Sequence, residues 1–243
     1  MIGNFILKIS MMLINLIDLD NKKKIIKFFK KEFHNNQICV FDIGAHKGES
    51  IDLFCKNLNV SSIYSFEPNV NLFKKLNTSK KYISNKIKLF NFGFGEISET
   101  KELNVFKDTS SSTLNHINEN TEYFKRKKKL FSLFLSNQNF KPDKQNVKIC
   151  NISEFISEQS VEKIDILKID TEGYEYNILK GIKEIDLKKI RFIYFEHHYD
   201  LMINKGYKFS NIKKLLEKNN FQKRYKIRMR FRKSFEYIYE NSI

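Results

Sequence analysis

The sequence predicts an α/β fold: a mostly parallel sheet with an antiparallel hairpin at its C-terminal end. Three observations carry this. Apolar runs rich in Ile, Phe and Val at 38–41, 63–66, 87–92, 164–169 and 190–195 have the near-continuous hydrophobicity of strands covered on both faces. Helical patterns around 50–58, 69–76, 174–182 and 211–218 alternate with them, as parallel sheets require. The tail, 221–231 and 235–239, reads as two adjacent strands with a short Arg/Lys/Ser connection.

Composition is consistent with this and removes other classes. The 243 residues suit one large domain or a domain with a helical appendage, and 41% hydrophobic residues suffice for a core. Eight glycines and two prolines exclude collagen, low-complexity linkers and turn-dense all-β folds. Cys39, Cys55 and Cys150 form no CxxC pair, which excludes a disulfide framework or zinc ribbon and points to a reducing compartment. Forty-four basic against 28 acidic residues give a net charge of +16. Such a field attracts nucleic acid, anionic membranes or acidic substrates. Yet Lys, Asn, Ile and Phe crowd a chain with one alanine, Ala45, so A/T-rich codon usage supplies much of the lysine.

Taken in order, residues 1–36 form a helical segment, with Ile6, Ile9, Leu13, Leu16 and Ile17 at helical spacing and Ile25, Ile26, Phe28 and Phe29 following. Lys8, Asn15 and Asp18 interrupt any run long enough to span a membrane, and no cleavage site follows. Residues 37–243 then form the α/β domain. Its first strand runs into Asp42-Ile43-Gly44-Ala45-His46-Lys47-Gly48, a tight turn whose glycines let a ligand approach the backbone and a helix start beneath it. The pattern is D-x-G-x-x-x-G, not the G-x-G-x-x-G that cradles a pyrophosphate. Twenty-five residues beyond Asp42, the second strand ends at Glu67, where a carboxylate can accept both hydroxyls of a ribose; Pro68 ends the strand and fixes the next helix turn. Asp42 and Glu67 without a pyrophosphate loop suit a nucleoside with a zwitterionic tail, S-adenosyl-L-methionine.

Residues 115–146 interrupt the alternation as an insertion or lid. Five consecutive cations at 125–129 precede an apolar run to 135, the pattern of a basic amphipathic helix that covers a pocket or touches a membrane, or of a solvated charge run before a docking helix. The next strand ends in Asp170-Thr171-Glu172-Gly173, setting Asp170 and Glu172 in the crevice at the carboxyl ends of the strands; helix capping accounts for Glu175. The following strand closes on Glu196 and His197, the latter a natural proton acceptor, with His198 read as structural. No metal site is predicted.

These residues resemble the FkbM family of S-adenosylmethionine-dependent methyltransferases. The matching stretches are VFDIGAHKGES at 40–50, IYSFEPNVNLFKKL at 63–76, FGFGE at 92–96, SSSTL at 110–114, LKIDTEGYEYNILKG at 167–181 and FEHH at 195–198. The resemblance spans roughly 38–225, and LKID-x-EG-x-E-x-x-x-LKG is its specific part. It implies a Rossmann-like class I methyltransferase fold, a seven-stranded sheet with a reversed last strand, and O-methylation of sugars or secondary metabolites. Three features depart from the family pattern: His46 stands where Asn is usual, Ser153 replaces an Asp, and the 115–145 insertion has no clear counterpart.

The expected activity is transfer of a methyl group from S-adenosyl-L-methionine to a hydroxyl of a sugar, glycan or secondary metabolite. Asp42, Gly44, His46, Gly48, Glu67 and Pro68 are expected at the cofactor, with 110–113 as a substrate-side loop. Asp170, Glu172, Glu196 and His197 are candidates for base or acceptor orientation, His197 and Asp170 foremost. A nucleic-acid methyltransferase is disfavoured, because Asp170-Thr171-Glu172-Gly173 stands where an N/D-P-P-Y stretch belongs and acids would face phosphates. A non-catalytic cofactor-binding or membrane-peripheral protein is the remaining class. A cytoplasmic location is expected, with 125–135 as the segment for peripheral membrane contact.

Overall fold

Residues 20–106, 112–132, 142–229 and 233–242 are described by a computed structural model. The chain opens with helix α1 (20–33) and strand β1 (Ile38–Ile43), followed by α2 (Glu49–Asn57), β2 (Val60–Phe66), α3 (Val70–Thr78) and β3 (Ile87–Phe90). Next come β4 (Gly93–Gly95), β5 (Glu99–Val105), β6 (His116–Ile117), α4 (Glu122–Ser132), β7 (Asp143–Asn151) and α5 (Ile152–Glu158). Then follow β8 (Ile164–Ile169), α6 (Glu175–Lys180), α7 (Glu184–Leu187), β9 (Ile190–His198), β10 (Ile203–Asn204), α8 (Phe209–Lys218), β11 (Phe221–Arg228) and β12 (Ser234–Asn241).

Seven strands form the main sheet in the order β11-β12-β9-β8-β1-β2-β3. Neighbours from β9 to β3 pair in parallel, whereas β12 runs antiparallel to both β9 and β11. The hairpin therefore places its second strand inside the first, and β11 is the edge. The order reverses direction at β1, between β8 and β2, which sets the ligand crevice at the carboxyl ends of these strands.

Both faces are covered. On one, Phe41, Ile43, Leu167, Ile169, Ile193 and Phe195 pack against Phe155 and Ile156 of α5, Ile178 and Leu179 of α6, and Ile212 and Leu216 of α8. On the other, Val40, Ile166, Phe192 and Ile238 meet Ile25, Phe29 and Phe33 of α1 and Ile51 and Phe54 of α2. Helix α1 is thus part of the core, with Phe29 edge-on to Phe192 at 5.7 Å; the part of the helical segment at 1–19 lies outside the described residues. Asn21 fixes its start by donating to the Arg228 carbonyl at 3.3 Å, at the end of β11.

The expected 87–92 strand stops at Phe90. Asn91 turns the chain there, its side-chain amide donating to the carbonyls of Glu67 and Pro68 at 2.9 and 3.2 Å. Beyond that turn a second sheet, β4-β7-β5, forms, in which β5 and β7 carry too many Lys, Glu and Asn residues to read as strands and β4 is only three residues long. Part of the expected insertion belongs to it, since β7 begins at Asp143. The rest forms β6, which pairs with β10, and α4, whose Phe124 is buried beside Phe106, Met202 and Ile203. Residues 133–141 lie outside the described part. Among the described residues no helix is long and apolar enough to cross a membrane.

Candidate functional site

The Gly44–Gly48 loop is held by backbone contacts that tolerate little else. Gly44 has φ +87°, and a Cβ there would lie 2.0 Å from the Asp170 carbonyl oxygen. The Gly44 and Ala45 amides both donate to the Phe66 carbonyl at 3.0 Å, so the loop folds back over the end of β2. Gly48, φ +90°, starts α2 beneath Tyr82, whose hydroxyl oxygen a Cβ would meet at 2.3 Å. His46 also takes a left-handed conformation, φ 52°, one that His shares with Asn and Asp more readily than with other residues. His46 in place of Asn therefore keeps the loop's shape while adding a titratable ring. Its Nδ1 lies 3.1 Å from Glu49 Oε1. Burial works against charge on the ring, but Glu49 raises it above the ordinary histidine range; burial would raise Glu49, and the His46 hydrogen bond and charge bring it down to about 2.

Glu67 is buried at the end of β2. Its two carboxylate oxygens accept the backbone amides of His46 at 2.8 Å and Asn69 at 2.9 Å. Burial raises its carboxyl to about 7 against the lowering effect of those amides. Each oxygen keeps a second lone pair for a ligand hydroxyl. Pro68 does not fix the first turn of α3 as expected. Asn69 caps that helix, accepting from Asn71 and Leu72, and Pro68 precedes the cap with its carbonyl taken by Asn91.

Between the loop and β8 lies a charge set that sequence reading left incomplete. Lys168 donates to Asp42 Oδ1 at 2.9 Å, with Asp170 Oδ2 at 3.7 Å. Burial opposes its charge, yet Asp42 and then Asp170 hold the Lys168 ammonium above the usual lysine range. Asp42 is fully buried; Asp170 is 40% exposed in its side chain and donates its amide to the Ile43 carbonyl. Lys168 was hidden inside the apolar run 164–169, where a lysine reads as a strand interruption.

Strand register extends this polar face. Asp42, Lys168 and Tyr194 are cross-strand neighbours, so Glu196 and His198, two and four residues beyond Tyr194, lie on the same face. His198 Nε2 sits between Glu172 Oε2 at 3.5 Å and Glu196 Oε1 at 3.3 Å. Burial opposes its charge, but Glu172 foremost and Glu196 next raise it to about 9. His197 points to the opposite face, among Tyr199, Tyr207 and Phe209, and burial lowers it to about 3. The structure therefore brings His198, not His197, to Glu172 and Glu196. Opposite Glu196, β12 contributes Glu236, whose Oε1 accepts the Tyr194 hydroxyl at 2.7 Å. Burial and then Glu196 raise Glu236 to about 7.

Glu175 does more than cap. Fully buried, it accepts the Gly173 amide at 2.8 Å, the Thr171 hydroxyl at 3.2 Å and the Tyr207 hydroxyl, and so shapes the turn that carries Glu172. Glu172 has φ 51°. Thr113 props this turn by donating its hydroxyl to the Glu172 carbonyl at 2.8 Å, and Asn115 does the same at Gly173 at 2.7 Å. Residues 110 and 111 of the expected substrate-side loop lie outside the described part. Ser153, in place of an Asp, accepts the Lys183 amide at 2.8 Å and docks α7. Among the described residues no group of three or more His, Cys, Asp and Glu side chains is placed to hold a metal ion. What the edge offers is a glycine turn with an anchored carboxylate beside it, then a half-exposed Asp170 next to carboxylates and an imidazolium.

Residues 42–223 match the methyltransferase FkbM domain. Among solved structures, the methyltransferase FkbM of Methylobacillus flagellatus KT superposes with a TM-score of 0.52 at 15% identity, covering 85% of this chain and 44% of its own. The chain thus spans less than half the length of that protein. The N-methyltransferase NodS of Bradyrhizobium japonicum WM9 superposes with a TM-score of 0.50 at 6% identity, covering 93% of this chain and 97% of its own. No curated protein matches the sequence. These likenesses fix the fold as that of class I methyltransferases, and the domain match over three quarters of its length shows that the chain belongs to the FkbM family of S-adenosylmethionine-dependent methyltransferases.

Proposed function

We propose that this methyltransferase acts on a hydroxyl of a sugar, glycan or secondary metabolite, with Asp170 as the base. The observation that carries the reading is the position of Asp170. It is half-exposed at the end of β8, its carbonyl against Gly44 and its carboxylate beside Lys168, with Glu172 two residues on. Asp42, Gly44, His46, Gly48 and Glu67 are the residues for S-adenosylmethionine, which when bound supplies an electrophilic methyl group on a sulfonium. The spare lone pairs of Glu67 suit ribose hydroxyls, and the His46 ring suits the carboxylate of the amino-acid end. A hydroxyl is a weak nucleophile until its proton is accepted, and a positioned base contributes about 10²–10⁴-fold. Lys168 is the cation that faces the Asp170 carboxylate, 3.7 Å from its Oδ2. Glu172 and Glu196, held by His198, offer acceptors for neighbouring hydroxyls of a polyol. In the same reading, the exposed Lys125, Arg126 and Lys128 of α4 make a peripheral contact with an anionic membrane surface.

The test is transfer of a labelled methyl group from S-adenosylmethionine to matched panels of hydroxylated and amine acceptors. The expected product is a base-stable methyl ether, and Asp170→Asn lowers turnover by about 10²-fold or more while S-adenosylhomocysteine affinity stays within a few-fold. Label found in amines alone, or full turnover in Asp170→Asn, contradicts the proposal.

A further inference from the structure

The reversed strand β12 brings a carboxyl group to the polar face that no sequence motif marks. Glu236 is the register partner of Glu196, and both side chains are more than nine-tenths buried. Tyr194 donates to Glu236 Oε1, whereas Glu236 Oε2 and Glu196 Oε1 have no hydrogen-bond partner among the described residues. The nearby Ser234 hydroxyl and His198 Nδ1, on the same face, are likewise without one. A carboxylate opposed to another across adjacent strands in a low-dielectric interior is driven toward its neutral form. The other charges facing Glu236 are Asp170 after β8, which adds to the repulsion, and Lys22 of α1, which weakly opposes it.

We propose that Glu196 and Glu236 share a single proton, and that Glu236 is thereby a positioning residue: held neutral, it leaves Glu196 anionic to fix the His198 imidazolium against Glu172. The path then runs Tyr194–Glu236–Glu196–His198–Glu172, from the sheet interior to the crevice, with Glu236 and Glu196 related as cross-strand register partners. A neutral Glu236 donates its proton toward Glu196, which explains why an acid is tolerated where an apolar residue would complete the α1 side of the core. The pair's part in the reaction rests on the reading of the crevice as the acceptor site; the shared proton does not.

The experiment is carbon-13 NMR of the full chain labelled at glutamate carboxyl carbons, with imidazole nitrogen shifts of His198 followed over the same pH range. The wild type should show two glutamates titrating near pH 7, Glu67 and Glu236. The Glu236 titration should vanish in Glu236→Gln, whose neutral amide leaves the Glu67 and His198 titrations in place. In Glu196→Gln the Glu236 titration should fall by at least one pH unit, and that of His198 should fall too. If Glu236→Gln removes no titration above pH 6, or if Glu196→Gln leaves both groups unmoved, the shared proton is refuted. Calorimetry with S-adenosylhomocysteine on the same samples separates this from the methyltransferase reading: absence of binding refutes the cofactor assignment while the NMR result still decides the pair.

Discussion

Gly44 is the residue at which one methyl group decides the site. Its φ of +87° and the 2.0 Å approach of a Cβ to the Asp170 carbonyl mean that an alanine meets backbone, not a movable side chain. Gly44→Ala should therefore cost more than the ~1–2 kcal/mol of a left-handed backbone alone, read as a lowered thermal midpoint by circular dichroism. Glu67 acts at the same scale. Glu67→Ala strips the buried His46 and Asn69 amides of their acceptor, a loss of about 1–3 kcal/mol each where water does not replace it. For His198 the sign follows from a folded pKa of about 9 against an unfolded value of roughly 6.5. The stabilisation is complete below about pH 6.5 and is lost as pH rises through 9. Denaturant midpoints of His198→Gln should thus lie below the wild type at pH 7, with the gap closing toward pH 10; a gap independent of pH would show that the ring is held neutral.

At the scale of elements, the ends of β1 and β8 are joined by a buried ion pair and the α1 face by aromatic packing. Lys168→Met leaves Asp42 charged and buried, a loss of about 3–5 kcal/mol; adding Asp42→Asn should recover much of it, and an additive double mutant would deny the pairing. Phe29→Ala opens a cavity between α1, Phe192 and Phe54, and should cost about 3–5 kcal/mol in denaturant unfolding. Which elements were legible in the sequence follows from their burial. β1, β2, β8 and β9 are covered on both faces and show as largely apolar runs, and the Gly44–Gly48 turn shows through its glycines. β5 and β7 were not legible, since ETKELNV and DKQNVKICN spend their alternate positions on solvent and carry few apolar residues. The same double burial that exposed β9 as a strand concealed its phase. With every residue from Phe192 to His198 buried, nothing in the sequence says whether His197 or His198 shares a face with Lys168. Only the register with β8 and β12 settles that, and Glu236, forty residues beyond its partner Glu196, is legible only there.

At the scale of the whole molecule, the sheet order concentrates acids at one edge of a chain whose net charge is +16. Asp42, Glu67, Asp170, Glu172, Glu196 and Glu236 all come to the carboxyl ends of the strands, while lysines populate the remaining surface. Under the function proposed above, a crevice of this sign would suit neutral polyols and the sulfonium and ammonium groups of the cofactor better than phosphate-bearing acceptors. In the reading proposed above, the 42–48 turn and Glu67 form the cofactor seat. Calorimetric titration with S-adenosylhomocysteine tests it most directly. The wild type should bind with micromolar affinity and Glu67→Ala, still folded, should lose at least tenfold. Equal affinity in the two proteins, or no binding by folded wild type, would contradict it.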